Sequence, residues 1–173
     1  MIRTDMNAPS SRVLKLRKSG SKSVRATTIK SYDAAIKKLK LLRSGDYRGD
    51  QKVYEAILTQ IFQKYIRSKG DCVLASEHKP WTCGGMVTAG HVFSRSVKEL
   101  LWDEQNCYPQ CAACNSLHRV HPIIFHDWCK AKLGELEYNR LKRISSAKQA
   151  FLIPLDKVME MIETYEILLK STP

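Results

Sequence analysis

The chain has 173 residues, 43% of them hydrophobic, which is enough for one core with helical extensions. Its formal net charge of +12 favours a polyanionic partner such as nucleic acid. No run of 18 apolar residues exists and no apolar stretch follows the basic N-terminus, so we expect no membrane span, no secretory signal and a cytoplasmic location. The six cysteines are then expected to be reduced and partly metal-bound.

Residues 1–24 are rich in Ser, Lys and Arg and poor in large apolar side chains, which predicts a flexible basic tail. A helical segment, 25–69, follows it. Over residues 26–42 apolar side chains recur at helical spacing with lysines between them, which predicts an amphipathic helix with a cationic outer face. A second helix is predicted over 51–67, and its apolar stripe is either core or a dimer interface.

Helical periodicity is lost over residues 71–110, where glycines and prolines indicate short strands and loops. Helical spacing returns after Cys111 and continues to Gly134, and a last helix is predicted over 155–170. The pattern predicts an α+β chain in which a small central core, 70–134, lies between two helical segments, 25–69 and 135–173.

A Cys-x2-Cys pair, Cys111 and Cys114, stands where the predicted loop turns into a helix. The two-residue gap lets both thiolates reach one tetrahedral Zn2+. Cys83 is the third predicted ligand, because the two glycines after it permit a tight turn around the metal. The fourth is Cys72 or His78, and we prefer Cys72. Four protein ligands leave no open position for water, so this zinc is predicted to be structural.

The two remaining cysteines, Cys107 and Cys129, are predicted to fill the core, with Cys107 as an alternative ligand. A buried free thiol behaves as a small apolar side chain and needs no metal. Trp102 and Trp128 are also predicted to be core residues, because large aromatic side chains spaced among apolar ones usually pack.

Five short motifs follow one another along the central part of the chain: KYIRSKG, CGG, AGHVFSR, WDEQNCYPQCAACN and FHDWCKAKLG. Over residues 62–134 their order and spacing resemble the HNH endonucleases, and more closely the phage recombination proteins of the NinG (Rap) type. The resemblance implies a small zinc-stapled ββα-metal core, HNH and treble-clef-like, flanked by N- and C-terminal helices.

The resemblance also implies a function: metal-dependent hydrolysis of phosphodiester bonds in branched DNA, such as Holliday junctions and D-loops. His91 would be the general base that takes a proton from water, which suits a side chain with a pKa near neutrality. Asn106 would bond across the loop and orient the base, and its alternative is an Asx turn. Arg95 would clamp a phosphate. Symmetric cutting of a junction needs two active sites, which implies a homodimer.

A catalytic Mg2+ or Mn2+ ion would neutralise the phosphate and stabilise the leaving oxygen. Its candidate ligands are Asn115 and His121, which share a site if a helix begins near Cys111. Many HNH nucleases have an acidic ligand directly before the histidine, where this chain has Gly90, so the nearest carboxylates, Asp103 and Glu104, are an alternative. The candidate DNA contacts are cationic or imidazole side chains from three parts of the chain: Lys15, Arg17, Lys18, Lys37, Lys40, His118 and Arg119.

Two hypotheses of different class remain. The first is the endonuclease, which the combination of His91 and Asn106 favours because binding alone does not require a base. The second is a zinc-stabilised protein that binds DNA by its structure and does not cut it, which the missing acidic ligand at Gly90 favours.

Overall fold

The computed structural model describes residues 22–147 and 151–171. The predicted DNA contacts Lys15, Arg17 and Lys18 lie outside the described residues, as does most of the predicted tail. The end of that tail, residues 22–24, is instead part of the fold. Strand β1 (Lys22–Ser23) pairs in parallel with strand β2 (Tyr47–Arg48), and Val24 is buried because it packs into the main core.

Helices α1 (Tyr32–Arg43) and α2 (Gln51–Ser68) both begin at a side-chain cap. The Ser31 hydroxyl accepts a hydrogen bond from the Ala34 N–H, and the Asp50 carboxylate accepts one from the Val53 N–H. The sequence predicts the first helix from residue 26, whereas residues 26–28 form a single 3-10 turn. The α-helix starts later because its cap is Ser31.

Helix α2 is the centre of the main core. Its buried side chains are Val53, Tyr54, Ile57, Leu58, Ile61, Phe62 and Ile66. Helix α6 (Leu155–Ser171) packs along α2 through Val158, Ile162 and Tyr165, and α1 adds Leu39 and Leu42. The apolar stripe of α2 is therefore core, and it is not free to form a dimer interface. Within the described ranges, no helix has the length and apolar character needed to cross a bilayer.

A β-hairpin joins this core to the smaller half of the molecule. Strand β3 (Val87–His91) pairs antiparallel with β4 (Cys107–Cys111), and helix α3 (Ala112–Leu117) starts directly after β4. Helices α4 (Pro122–Leu133) and α5 (Glu135–Ser146) follow. The chain turns between them at Gly134, whose φ of +80° favours glycine. Helices and two small sheets make the chain α+β, as predicted.

The two faces of the hairpin have different neighbours, because successive side chains of a strand point to opposite faces. Ala89 and Cys107 pack with the main core around α2. Val92 and Tyr108 pack with a second core, which contains Phe125 and Cys129 of α4. Burial of Cys107, Cys129 and Trp102 confirms the prediction that they are core residues. Trp128 is half-buried and packs on the second core.

Candidate functional site

The four predicted zinc ligands lie together. The Sγ atoms of Cys72, Cys83, Cys111 and Cys114 are all within 4.8 Å of one another, and none of these thiols is in a disulfide. His78 is not part of the group. Four thiolates arranged around one point are the donor set that tetrahedral Zn2+ prefers. The group can therefore hold a metal ion such as zinc.

A glycine turn places the exposed ligand, Cys83, against the start of α3. The Gly84 carbonyl accepts a hydrogen bond from the Ala113 N–H at 3.1 Å, and the Gly84 N–H donates to Cys111 Sγ at 3.4 Å. Gly85 has φ +78°, and a Cβ on it would lie 2.9 Å from the Ala112 Cβ. The turn can pass this close to the helix only because the position has no side chain.

The hydrogen bonds around the group favour thiolate at one cysteine. Burial alone raises the pKa of Cys111, but its sulfur accepts hydrogen bonds from the backbone N–H groups of Cys114 and Gly84, and the pKa falls to about 6. Burial raises the pKa of Cys114 to about 12, although the Trp81 indole N–H donates to its sulfur at 3.3 Å. Because a metal binds thiolates, its binding must release the proton of Cys114.

Asn106 joins the two ends of the loop that connects β3 to the 3-10 turn over Lys98–Leu100. Its side chain is 0% exposed. The Oδ1 atom accepts a hydrogen bond from the Phe93 N–H at 2.8 Å, and Nδ2 donates to the carbonyls of Phe93 and Leu100 at 3.1 and 3.0 Å. Every polar atom of the carboxamide thus has a partner in the loop. This is the predicted bonding across the loop and not the Asx turn given as its alternative.

His91 ends β3 on the face of the hairpin that packs toward α2. Its Nε2–H donates to the Leu101 carbonyl at 3.0 Å, which leaves the lone pair on Nδ1, 3.7 Å from Cys107 Sγ. Burial lowers the pKa of His91, and the nearby charge of Arg95 lowers it further. Burial raises the pKa of the Cys107 thiol to about 12, so that thiol stays neutral beside the ring.

Of the other predicted site residues, four cationic side chains are exposed and have no ion pair in the described part of the chain: Lys37, Lys40, Arg95 and Arg119. His118 is different. Its Nε2–H donates to the Val92 carbonyl at 3.3 Å, its Nδ1 is buried without a partner, and its ring packs on Phe125 and His126. The prediction of His118 as a DNA contact is corrected: the ring faces the second core because helix α3 ends against the hairpin.

The predicted ligands of a catalytic ion, Asn115 and His121, have no hydrogen bond to each other or to His91 in the described part of the chain. His121 is exposed, with its ring 5.1 Å from that of Trp81 beside the cysteine group, and the Asn115 side chain is half-buried. Among the described residues, the four cysteines are the only group of three or more Cys, His, Asp or Glu side chains that can hold a metal.

The alternative carboxylates are already engaged elsewhere. Asp103 Oδ2 accepts a hydrogen bond from Arg140 at 2.8 Å, and Glu104 Oε2 accepts from Lys69 at 2.6 Å and from the Tyr65 hydroxyl at 3.1 Å. Mg2+ and Mn2+ prefer several oxygen ligands, including carboxylates. Both carboxylates are therefore paired with cationic side chains, and the site of a catalytic Mg2+ or Mn2+ ion stays a prediction.

Gln110 was not singled out in the sequence analysis. Its side chain fills the space that the side chain of an acidic residue at position 90 would need. A Cβ on Gly90 would be 2.0 Å from Gln110 Oε1. Gln110 is 0% exposed, and neither of its amide atoms has a hydrogen-bond partner among the described residues. The only indication of this burial in the sequence is that Gln110 directly precedes the predicted zinc ligand Cys111.

Comparisons of the chain with protein-family models, with curated proteins and with solved structures find no match.

Proposed function

We propose that the protein is an HNH-type DNA endonuclease that hydrolyses phosphodiester bonds in branched recombination intermediates, with His91 as the general base. One observation carries the proposal. Asn106 donates a hydrogen bond to the Leu100 carbonyl and so fixes the loop, and the carbonyl of the next residue, Leu101, accepts a hydrogen bond from the His91 ring. This arrangement supplies the fixed tautomer and orientation that a general base needs.

The clamp acts through the backbone. Asn106 holds the carbonyl of Leu100, and Leu101 follows directly. Because a carbonyl only accepts hydrogen bonds, it keeps the proton of His91 on Nε2 and the lone pair on Nδ1. Burial lowers the pKa of His91, so the ring is neutral and able to accept a proton at neutral pH.

The proposed reaction is attack of water on the phosphorus atom, with one proton of the water taken by Nδ1 of His91. As the new P–O bond forms, the P–O bond to the 3' oxygen breaks, and that oxygen leaves and takes a proton from solvent. Arg95, exposed and four residues away, is the proposed phosphate clamp, because its planar guanidinium can bond two oxygens at once. The exposed Lys37 and Lys40 of α1 are proposed to contact the DNA backbone, a contact that carries no sequence preference.

The proposal includes two metal ions, one structural and one catalytic. Zn2+ is the proposed occupant of the cysteine group, where it would link the loop at Cys72 and Cys83 to the start of α3. A bound Mg2+ or Mn2+ ion would supply charge neutralisation at the phosphate. Because the four cysteines are the only group of three or more Cys, His, Asp or Glu ligands among the described residues, the steps above use only the side chains of the chain itself.

A second candidate function is structure-specific DNA binding without cleavage. Two observations favour it: position 90 has no acidic side chain, and the Nδ1 lone pair of His91 faces the buried thiol of Cys107. The net charge of +12 supports DNA binding under either candidate.

The test is incubation of the protein with a labelled four-way junction and with a linear duplex of the same sequence, in Mg2+, in Mn2+ and in EDTA. The endonuclease predicts cutting of the junction in at least one of the metals and none in EDTA. Tight junction binding without cutting in any metal would instead establish the second candidate.

A homodimer is part of the proposal, since two symmetric cuts need two active sites. Its interface must use a surface other than α2, whose apolar stripe is buried. Sedimentation of the protein alone and on the junction measures this directly: two chains per junction are expected, and one chain per junction would remove the dimer from the account.

A further inference from the structure

The turn between α3 and α4 exposes two apolar side chains three residues apart in the chain. Val120 is 67% exposed and Ile123 is 69% exposed. Val120 lies just before His121, the N-cap of α4, and Ile123 lies in the first turn of that helix, so both side chains project from the same turn. Their neighbours Phe125 and His118 point inward to the second core. The turn therefore presents a small apolar projection that its own fold does not cover.

The projection is held rigidly. The N–H groups of Val120 and His121 both donate to the Leu117 carbonyl, at 3.0 and 2.9 Å, and Pro122 fixes the first position of α4. The His121 ring lies 5.1 Å from Trp81, whose indole donates to Cys114 of the metal group. Because the turn is already ordered, an apolar side chain on it can insert into a partner with little further loss of conformational entropy.

The turn also lies close to the proposed active site and carries positive charge. The His118 ring, at the end of α3, bonds the carbonyl of Val92, the residue directly after His91. Arg119, beside Val120, is exposed and has no ion pair among the described residues. Two exposed apolar side chains and the Arg119 guanidinium are complementary to a partner that carries both phosphates and exposed apolar faces.

Branched DNA is such a partner. At a branch point the base stack is interrupted, and proteins that bend DNA insert Leu, Ile, Met, Phe or Pro side chains between base steps. We propose that Val120 and Ile123 form a wedge that enters the branch point of a DNA junction, with Arg119 on the adjacent phosphate. The inference rests on the proposed function only in taking branched DNA as the partner, and it does not require that the DNA be cut.

The test uses a four-way junction with 2-aminopurine at the branch point, without added Mg2+ or Mn2+, so that cleavage does not contribute and the metal of the cysteine group is kept. Wild type is expected to raise the fluorescence several-fold, because insertion unstacks the probe base. The double variant V120S/I123S is expected to lose most of this rise and to bind the junction about tenfold more weakly. L136S is the matched control, because Leu136 is an apolar side chain of α5 that is 89% exposed.

A second variant guards against misfolding. V120L/I123L keeps the apolar pair and is expected to behave as wild type, and thermal melts of all variants should agree because the replaced side chains are exposed. Unchanged fluorescence and affinity in V120S/I123S would overturn the wedge. So would an equal fluorescence rise on a linear duplex, or no binding of wild type to the junction. A wild type that unstacks the probe but never cuts would retain the wedge and refute the nuclease.

Discussion

Two buried carboxamide side chains, Asn106 and Gln110, lie near the proposed base His91, and they differ in their hydrogen bonding. Asn106 has a partner for each of its polar atoms in the loop that orients His91. Gln110 has none, and it packs against the bare Cα of Gly90. Since an unbonded buried amide costs about 1–3 kcal/mol, Gln110 is retained at a cost in stability. Its side chain takes the space that a residue at position 90 would need.

The packing at Gly90 gives a stability prediction. Gly90→Ala should lower the free energy of unfolding by about 1–3 kcal/mol, because its Cβ would overlap the buried Gln110 amide. The double variant Gly90→Ala/Gln110→Ala should recover part of that loss, since the overlapping atoms are gone. Chemical denaturation measures both. Gly84→Ala is the control, because a Cβ there meets nothing within 4 Å; an equal loss in the control would reject the account of Gly90.

The pH dependence of cleavage follows from the state of His91. The base works only when its ring is neutral, and burial lowers its pKa from the ordinary value of 6.5. The ring therefore stays neutral as the pH falls to 6.5, and it protonates only below that point. The single-turnover rate should decline on the acid side with a midpoint below pH 6.5. A midpoint above 6.5 would show that another group controls the acid limb.

At the scale of elements, the cysteine group connects three separate stretches of the chain. Cys72 follows α2, Cys83 lies in the glycine turn, and Cys111 and Cys114 flank the start of α3. The stretch between α2 and β3 has no helix or strand of its own. A metal at the group would therefore supply much of the energy that orders this half of the molecule.

Metal content tests this role. Cys83→Ser should abolish zinc binding and reduce the protease resistance of the central segment, because three thiolates remain around the site. Cys129→Ala should keep one metal ion per chain, since the Cys129 thiol is buried in the second core and is not a ligand. Zinc is quantified by elemental analysis of the purified variants. A metal-free Cys83→Ser chain that resists protease as well as wild type does would refute the structural role.

The elements also show how far sequence reasoning reaches. Helix α2 was predicted over 51–67 and extends over Gln51–Ser68, because its apolar stripe is long and strictly periodic. The four cysteines were predicted because the ligand types and their spacing determine the site. The start of α1 was missed, since a cap at Ser31 decides it and not the apolar repeat. The burial of Gln110 and the inward turn of His118 depend on how helices dock on the hairpin, which periodicity does not encode.

At the scale of the whole molecule, a small hairpin lies between a helical core and the half that contains the cysteine group. The main core is formed by α1, α2 and α6, so the N-terminal and C-terminal helical segments pack together although they are far apart in sequence. The charged side chains around this core differ in their pairing. Glu55 forms an ion pair with Lys98, and Glu166 forms one with Arg43. Lys37 and Lys40 have no ion pair in the described part of the chain. These unpaired cations belong to the surface that is proposed to contact DNA.

Salt dependence of DNA binding tests that surface. For wild type the logarithm of the affinity should fall linearly with the logarithm of salt concentration, because bound phosphates release counterions. Lys37→Ala/Lys40→Ala should make the slope shallower by about 1.8, or about 0.9 per lost phosphate contact. Lys157→Ala is the control, because Lys157 is paired with Glu160 at 2.6 Å on α6. Equal slopes for wild type and the double variant would exclude α1 from the DNA interface.

The most direct test of the central claim is the single-turnover cleavage rate of His91→Ala on a four-way junction, beside wild type and Asn106→Ala. The account predicts that His91→Ala loses at least about a hundredfold in rate while junction affinity stays close to that of wild type. Its thermal melt should fall only modestly, because one hydrogen bond, to the Leu101 carbonyl, is lost. Asn106→Ala should lose rate as well, and it should also lose stability because it leaves buried loop groups unbonded. Cleavage by His91→Ala at the wild-type rate would contradict the account, because His91 could then not be the base.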